Sequence, residues 1–211
     1  MRGFNRCVVA FMLCLFVGDA SPGLASITRA PLAPDVFRAQ ALFAAGIHIA
    51  TLHGAAAKAP SGYRDFCERS PDQCKAKRGD AREVALSDDL RQTLEAVNEE
   101  FNRSIVAEDD LVHYGTLDFW TIPADGRGDC EDYVLAKRQA LMRLGLPEPA
   151  LRIAVVFTRK LIRHTVLTVA TDKGNYVLDN LRSDIVPWEE TNYVFVERQD
   201  PDSASGWVSL D

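Results

Sequence analysis

The chain has 211 residues, with 47% hydrophobic and 26% charged side chains and a formal net charge of −6. That is long enough for one domain with its own core, and the composition excludes an intrinsically disordered chain. The acidic balance argues against nucleic-acid binding, which needs a basic face.

In chain order, the first segment reads as an export leader. Arg2 and Arg6 give a basic start, and an apolar run follows from Cys7 to Val17. Gly18-Asp19-Ala20 and Gly23-Leu24-Ala25 then offer small residues for cleavage, so residues 1–25 are expected to be a signal peptide. A membrane anchor is the alternative, but a span needs roughly 20 apolar residues. Lipid attachment at Cys14 is disfavoured by bulky Leu13 before it. Export would place the mature chain in an oxidising compartment.

Residues 26–86 form an N-terminal extension of weak apolar runs, closing on a charged linker from Lys75 to Arg82. His48 and His53 do not share a helix face and are expected to be structural or exposed. Cys67 and Cys74 frame a short polar loop containing Pro71. In an oxidising compartment they are expected to form a local disulfide; a zinc half-site is the alternative, although no second ligand pair lies near. Pairing them leaves Cys130 as the odd thiol of the mature chain, and an odd cysteine in an exported protein is a reactive-thiol candidate.

Residues 87–211 carry the clearest elements. Ser87 can cap a helix, with Asp88 and Asp89 at the positive end of its dipole. Leu90, Leu94, Val97, Phe101 and Ile105 follow at helical spacing. A loop rich in aromatics and glycine, from His113 to Gly128, leads to a second helix starting at Asp129 or Cys130. Val134, Lys137, Leu141 and Leu144 continue that helix, and Gly145 with Pro147 ends it. Strands are expected over Leu151–Phe157, His164–Ala170, Tyr176–Asp179 and Tyr193–Val196. The turn Asp172-Lys173-Gly174 makes the middle two an antiparallel hairpin, which puts His164 and Asp179 near one end of the ladder.

Cysteine, histidine and aspartate in this chain order fit a thiol enzyme. A thiolate is the reactive form. The helix dipole at Cys130 and an imidazolium from His164 would both favour it. Asp179 would orient the ring through its other nitrogen, and a backbone N–H near Cys130 could hold an oxyanion. Asp129, Glu131 and Asp132 crowd the same point, and like charge opposes a thiolate. These acids either cap the helix or hold a hard cation, most simply calcium.

Phe101-Asn102, Tyr114-Gly115, Asp118-Phe119-Trp120, Gly128-Asp129-Cys130-Glu131-Asp132-Tyr133, Ala136-Lys137, His164-Thr165-Val166-Leu167 and Leu178-Asp179-Asn180 together resemble the bacterial transglutaminase-like cysteine proteases, whose best-known branch is the LapG type. The resemblance covers roughly residues 87–197. It implies an α+β, papain-like and transglutaminase-like fold, with a catalytic helix packed on an antiparallel sheet. It also implies Cys130 as nucleophile, His164 as base, Asp179 as orienting acid, calcium on Asp129, Glu131 and Asp132, and Trp120 near the substrate cleft, with ordinary core packing as the alternative for Trp120. The LapG type implies further a large surface adhesin as protein substrate and an inner-membrane cyclic di-GMP receptor as partner. The extension with Cys67 and Cys74 is not placed in that pattern. Two other readings stay open: a transglutaminase or amidase using the same acyl-enzyme, and a non-catalytic calcium- or partner-binding module.

Overall fold

The computed structural model describes residues 34–46, 54–74, 81–203 and 206–210. The expected leader over residues 1–25, His48, His53 and most of the Lys75–Arg82 linker lie outside the described residues. Among the described residues no helix is long and apolar enough to cross a membrane.

Among the described residues there are five α-helices: α1 (Pro34–Ala44), α2 (Ser61–Arg69), α3 (Asp88–Ser104), α4 (Asp110–His113) and α5 (Cys130–Arg143). The strands are β1 (Ala56–Ala57), β2 (Val106–Ala107), β3 (Arg127–Gly128), β4 (Leu151–Phe157), β5 (Arg163–Thr171), β6 (Gly174–Leu178), β7 (Val186–Pro187), β8 (Val194–Gln199) and β9 (Trp207–Ser209). Seven of them form one antiparallel sheet in the order β1-β9-β8-β4-β5-β6-β7, while β2 and β3 make a separate parallel pair. The α+β fold, with a helix packed on an antiparallel sheet, is as the sequence led us to expect.

The alternation of side chains along the central strands builds two cores. Leu151, Ile153, Val155 and Phe157 of β4 pack with Leu167, Val169 and Leu178 and with Val134, Leu135 and Leu141 of α5. Ala154 and Val156 face the other way, toward Val166, Val177, Trp188 and Phe195. The sheet is thus covered on both faces, which is why β4 reads as a continuous apolar run rather than an alternating one.

Each element that positions the site has a local cause. Ser87 caps α3, its hydroxyl accepting from the Leu90 N–H at 3.1 Å. Helix α5 stops where Gly145 takes φ +96°. There Gly145 N–H donates to the Met142 carbonyl and Leu146 N–H to the Leu141 carbonyl, a Schellman closure that glycine adopts without a Cβ penalty. The β5–β6 hairpin turns at Asp172-Lys173, with Leu167 opposite Leu178. Strand β6 therefore ends one residue before Asp179, on the side of the ladder where β5 begins with Arg163 and His164.

The stretch read as an N-terminal extension shares this core. Strand β1 pairs with β9, and Tyr63 and Phe66 of α2 are buried in the same cluster as α5. Cys67 and Cys74 are disulfide-bonded. Alpha-helical spacing had been too short and too polar in this region to announce α2.

Candidate active site

Cys130 is the first residue of α5, following Asp129 in extended backbone. The approach from β3 is tight: a Cβ on Gly128 would run into the Asp132 carboxylate, so only glycine lets the chain pass there. Cys130 is buried, keeps its thiol, and donates to Glu131 Oε2 at 3.1 Å.

His164 Nε2 and Asp179 Oδ1 lie 2.8 Å apart, and both side chains are fully buried. Asp179 is held on every side. Its Oδ1 also accepts from the Leu181 N–H at 2.9 Å, and its Oδ2 accepts from the Tyr193 hydroxyl at 2.7 Å. The Tyr193 ring meets the imidazole edge-on, with centroids 5.8 Å apart. His164 Nδ1 has no hydrogen-bond partner among the described nitrogen and oxygen groups, while the Cys130 thiol is near enough to act on the ring's charge. Burial alone would disfavour the imidazolium. The Asp179 charge and hydrogen bond outweigh it, with help from Cys130, and lift the pKa to about 10. Burial would likewise raise Asp179, but the imidazolium and three hydrogen bonds bring it to about 2. The structure therefore brings Cys130, His164 and Asp179 together, with a charged imidazole at neutral pH.

Around the start of α5 the acids fall into two groups that share Asp129. One is Asp129, Cys130 and Glu131; the other is Asp110, Asp129 and Asp132, and in each the candidate ligand atoms lie within 4.8 Å of one another. Three buried carboxylate oxygens, Asp110 Oδ1, Asp129 Oδ1 and Asp132 Oδ2, have no hydrogen-bond partner among the described residues. The opposite oxygens are bound: Thr121 N–H donates to Asp132 Oδ1 at 2.8 Å, and Phe119 N–H donates to Asp110 Oδ2. Burial and mutual repulsion push Asp132 up to about 9 and Asp110 to about 6, and burial raises Asp129 as well. Glu131 is driven well above the usual carboxylate range by burial and by its neighbours Cys130 and Asp129. Three acids with unused buried oxygens, next to a buried Glu131, are a costly arrangement without a cation.

Sequence reasoning did not find Asp110 or Tyr193. Asp110 is twenty residues upstream of Cys130, and only the β2–β3 pairing folds its helix α4 back beside α5. Tyr193 precedes a strand, with no local pattern to mark its hydroxyl. Trp120, read either as lying near a substrate cleft or as core, is fully buried. Its indole N–H donates to Asp118 Oδ1 at 2.7 Å, and its ring packs edge-on against Tyr63 of α2. Asp118 Oδ2 in turn accepts from Gly62 N–H at 2.8 Å, and Arg69 reaches the Trp120 carbonyl at 2.8 Å. Trp120 thus fastens the loop that carries Thr121 and Phe119 to the disulfide-braced helix α2.

A family model described as the bacterial transglutaminase-like cysteine proteinase BTLCP matches residues 53–211. The chain belongs to that family. This proteinase is accordingly a transglutaminase-like cysteine peptidase, and the match takes in α2 and the Cys67–Cys74 disulfide. Among solved structures it is similar to Legionella pneumophila LapG. The EGTA-treated form is 24% identical over 86% of this chain and 88% of that one, with a TM-score of 0.50. The calcium-bound form is 22% identical over 82% and 87%, with a TM-score of 0.49. A third LapG structure is 28% identical over 53% of this chain, spans 64% of that chain, and has a TM-score of 0.47. None of the curated proteins matches.

Proposed function

We propose that this proteinase is an exported, periplasmic endopeptidase whose nucleophile is Cys130, with His164 as general acid and base and Asp179 as the residue that orients it. The buried His164–Asp179 pair beside the Cys130 thiol is the observation that carries this reading. The Cys130 thiolate attacks a peptide carbonyl while the imidazolium protonates the leaving amine. An acyl-enzyme remains, and His164 then takes a proton from water as the water cleaves the thioester. A backbone N–H at the start of α5, beside Cys130, serves as the oxyanion donor.

A calcium ion fits the residues present. The unused oxygens of Asp110, Asp129 and Asp132 supply hard, anionic donors of the type calcium takes. Glu131, expected in the same set, sits between Asp129 and the thiol and is a further donor. When bound, the ion would neutralise these acids and order the loop ahead of α5. The LapG-type resemblance supports a large cell-surface adhesin as substrate and an inner-membrane cyclic di-GMP receptor as partner, with residues 1–25 as the leader that delivers the enzyme.

The test is iodoacetamide alkylation of Cys130 against pH in the full mature chain, with calcium and with chelator, alongside cleavage of an adhesin N-terminal fragment. Rapid alkylation well below the ordinary thiol value of about 8.5, lost in His164→Ala, is expected. A profile indifferent to His164 sinks the enzyme reading. Incorporation of an amine into the fragment in place of cleavage assigns the acyl transfer to an amine acceptor instead.

A further inference from the structure

Behind the reacting groups lies a buried polar cluster that proton transfer does not use. Lys137 is fully buried on α5, and its Nζ donates to Asn98 Oδ1 at 2.8 Å and to Asn102 Oδ1 at 2.6 Å. Seven residues separate Cys130 from Lys137, about two helical turns, so both project from one face of α5. Asn98 and Asn102 are one turn apart on α3 and face it together.

Both asparagines end on the backbone of the segment that carries Asp179. Asn98 Oδ1 accepts from the Asp179 N–H at 3.1 Å, and its amide donates to the Arg182 and Ser183 carbonyls at 3.0 and 3.1 Å. The Asn102 amide donates to the Asp179 and Arg182 carbonyls at 2.9 and 2.8 Å. The peptide groups on both sides of the Asp179 side chain are therefore gripped, N–H by one asparagine and C=O by the other. Lys137 fixes which way each amide points, because its ammonium can only donate and so selects the oxygen of both.

A cation in this position is expensive. Burial pulls Lys137 down to about 7, with the Asp179 charge acting in the opposite sense. An apolar side chain of the same length would pack α3 against α5 without that penalty. What the lysine adds is direction: it ties the helix carrying the thiol to the loop carrying the acid.

We propose that Lys137 is a positioning residue for this peptidase, acting through Asn98 and Asn102 to lock the Asp179 backbone to the Cys130 helix and so fix the imidazole against the thiol. This rests on the assignment of Cys130, His164 and Asp179 to the chemistry.

The test uses Lys137→Met and Asn102→Ala in the full mature chain, with His164→Ala as reference. Cleavage and iodoacetamide alkylation are both normalised to folded protein by circular dichroism. Displacing a reacting group by about 1 Å costs on the order of 100-fold in rate. A fall of that size in kcat with KM little changed is expected in Lys137→Met. The acid limb of alkylation should also move toward the ordinary thiol value of about 8.5. Asn102→Ala, at a half-buried position, removes the grip on the Asp179 and Arg182 carbonyls together with one acceptor of Lys137, and should move both readouts the same way. A lowered melting temperature with unchanged kcat and an unchanged alkylation profile per folded molecule, in either variant, overturns the proposal. If His164→Ala also leaves the profile unchanged, the catalytic assignment fails rather than the positioning one.

Discussion

Asp179→Asn separates the geometry of the imidazole from its charge. Asparagine keeps an oxygen where Oδ1 accepts from His164 Nε2 and Leu181 N–H, and puts an amide where Oδ2 meets the Tyr193 hydroxyl. The hydroxyl can rotate to accept, so at most one buried hydrogen bond is compromised, costing about 1–3 kcal/mol. For a domain of this size that lowers the melting temperature by roughly 2–12 °C. The charge effect is larger. Holding a buried imidazole at about 10 rather than 6.5 corresponds to on the order of 5 kcal/mol of differential stabilisation. Without the carboxylate, burial takes over and the ring is neutral at pH 7. In the wild type, stability from the raised histidine is complete below about 6.5 and is lost as pH rises through about 10. The counterpart from the lowered aspartate is complete above about 3.8 and is lost as pH falls through about 2. Asp179→Asn should therefore lose most stability between about pH 4 and 6.5, with the gap to wild type narrowing as pH rises toward 10. Thermal melts from pH 4 to 10 and alkylation of Cys130 over the same range measure both effects. Stability–pH curves of wild type and variant that run parallel throughout, with equal alkylation at pH 6, would refute the charged-pair account.

Two further outcomes follow from the same geometry. Asp132→Asn removes one of the crowded charges and one oxygen of the proposed ion site. In chelator it should melt at or above the wild type, and it should lose any rise in melting temperature on adding calcium; an undiminished calcium response would show that the ion sits elsewhere. Replacing Cys67 and Cys74 with serine opens a short loop whose closure stabilises by roughly 2–3 kcal/mol. Because α2 holds the Trp120 loop, calorimetry should show a fall of about 4–12 °C, with a parallel loss of calcium affinity; a variant with wild-type affinity would mean that α2 does not brace the site.

Local rules made much of this protein readable from its residues. Capping by Ser87, the stop at Gly145, the apolar run of β4 and the Asp172-Lys173 turn are set by neighbours within a few positions, and the helices and hairpin formed where those signals lie. Cys130 at a helix start, and His164 and Asp179 at one end of a hairpin, followed from the same short-range logic. Long-range packing decided the rest. Helix α2 has little amphipathic length of its own and is fixed by burying Tyr63 and Phe66 under a sheet whose partner strand comes from the opposite end of the chain. Asp110 reaches the Cys130 loop only because β2 pairs with β3, and Tyr193 reaches Asp179 across the sheet. Trp120 turned inward because its indole found Asp118. Whether a buried lysine, asparagine or acid touches a backbone two elements away depends on pairing and burial, which sequence spacing does not encode.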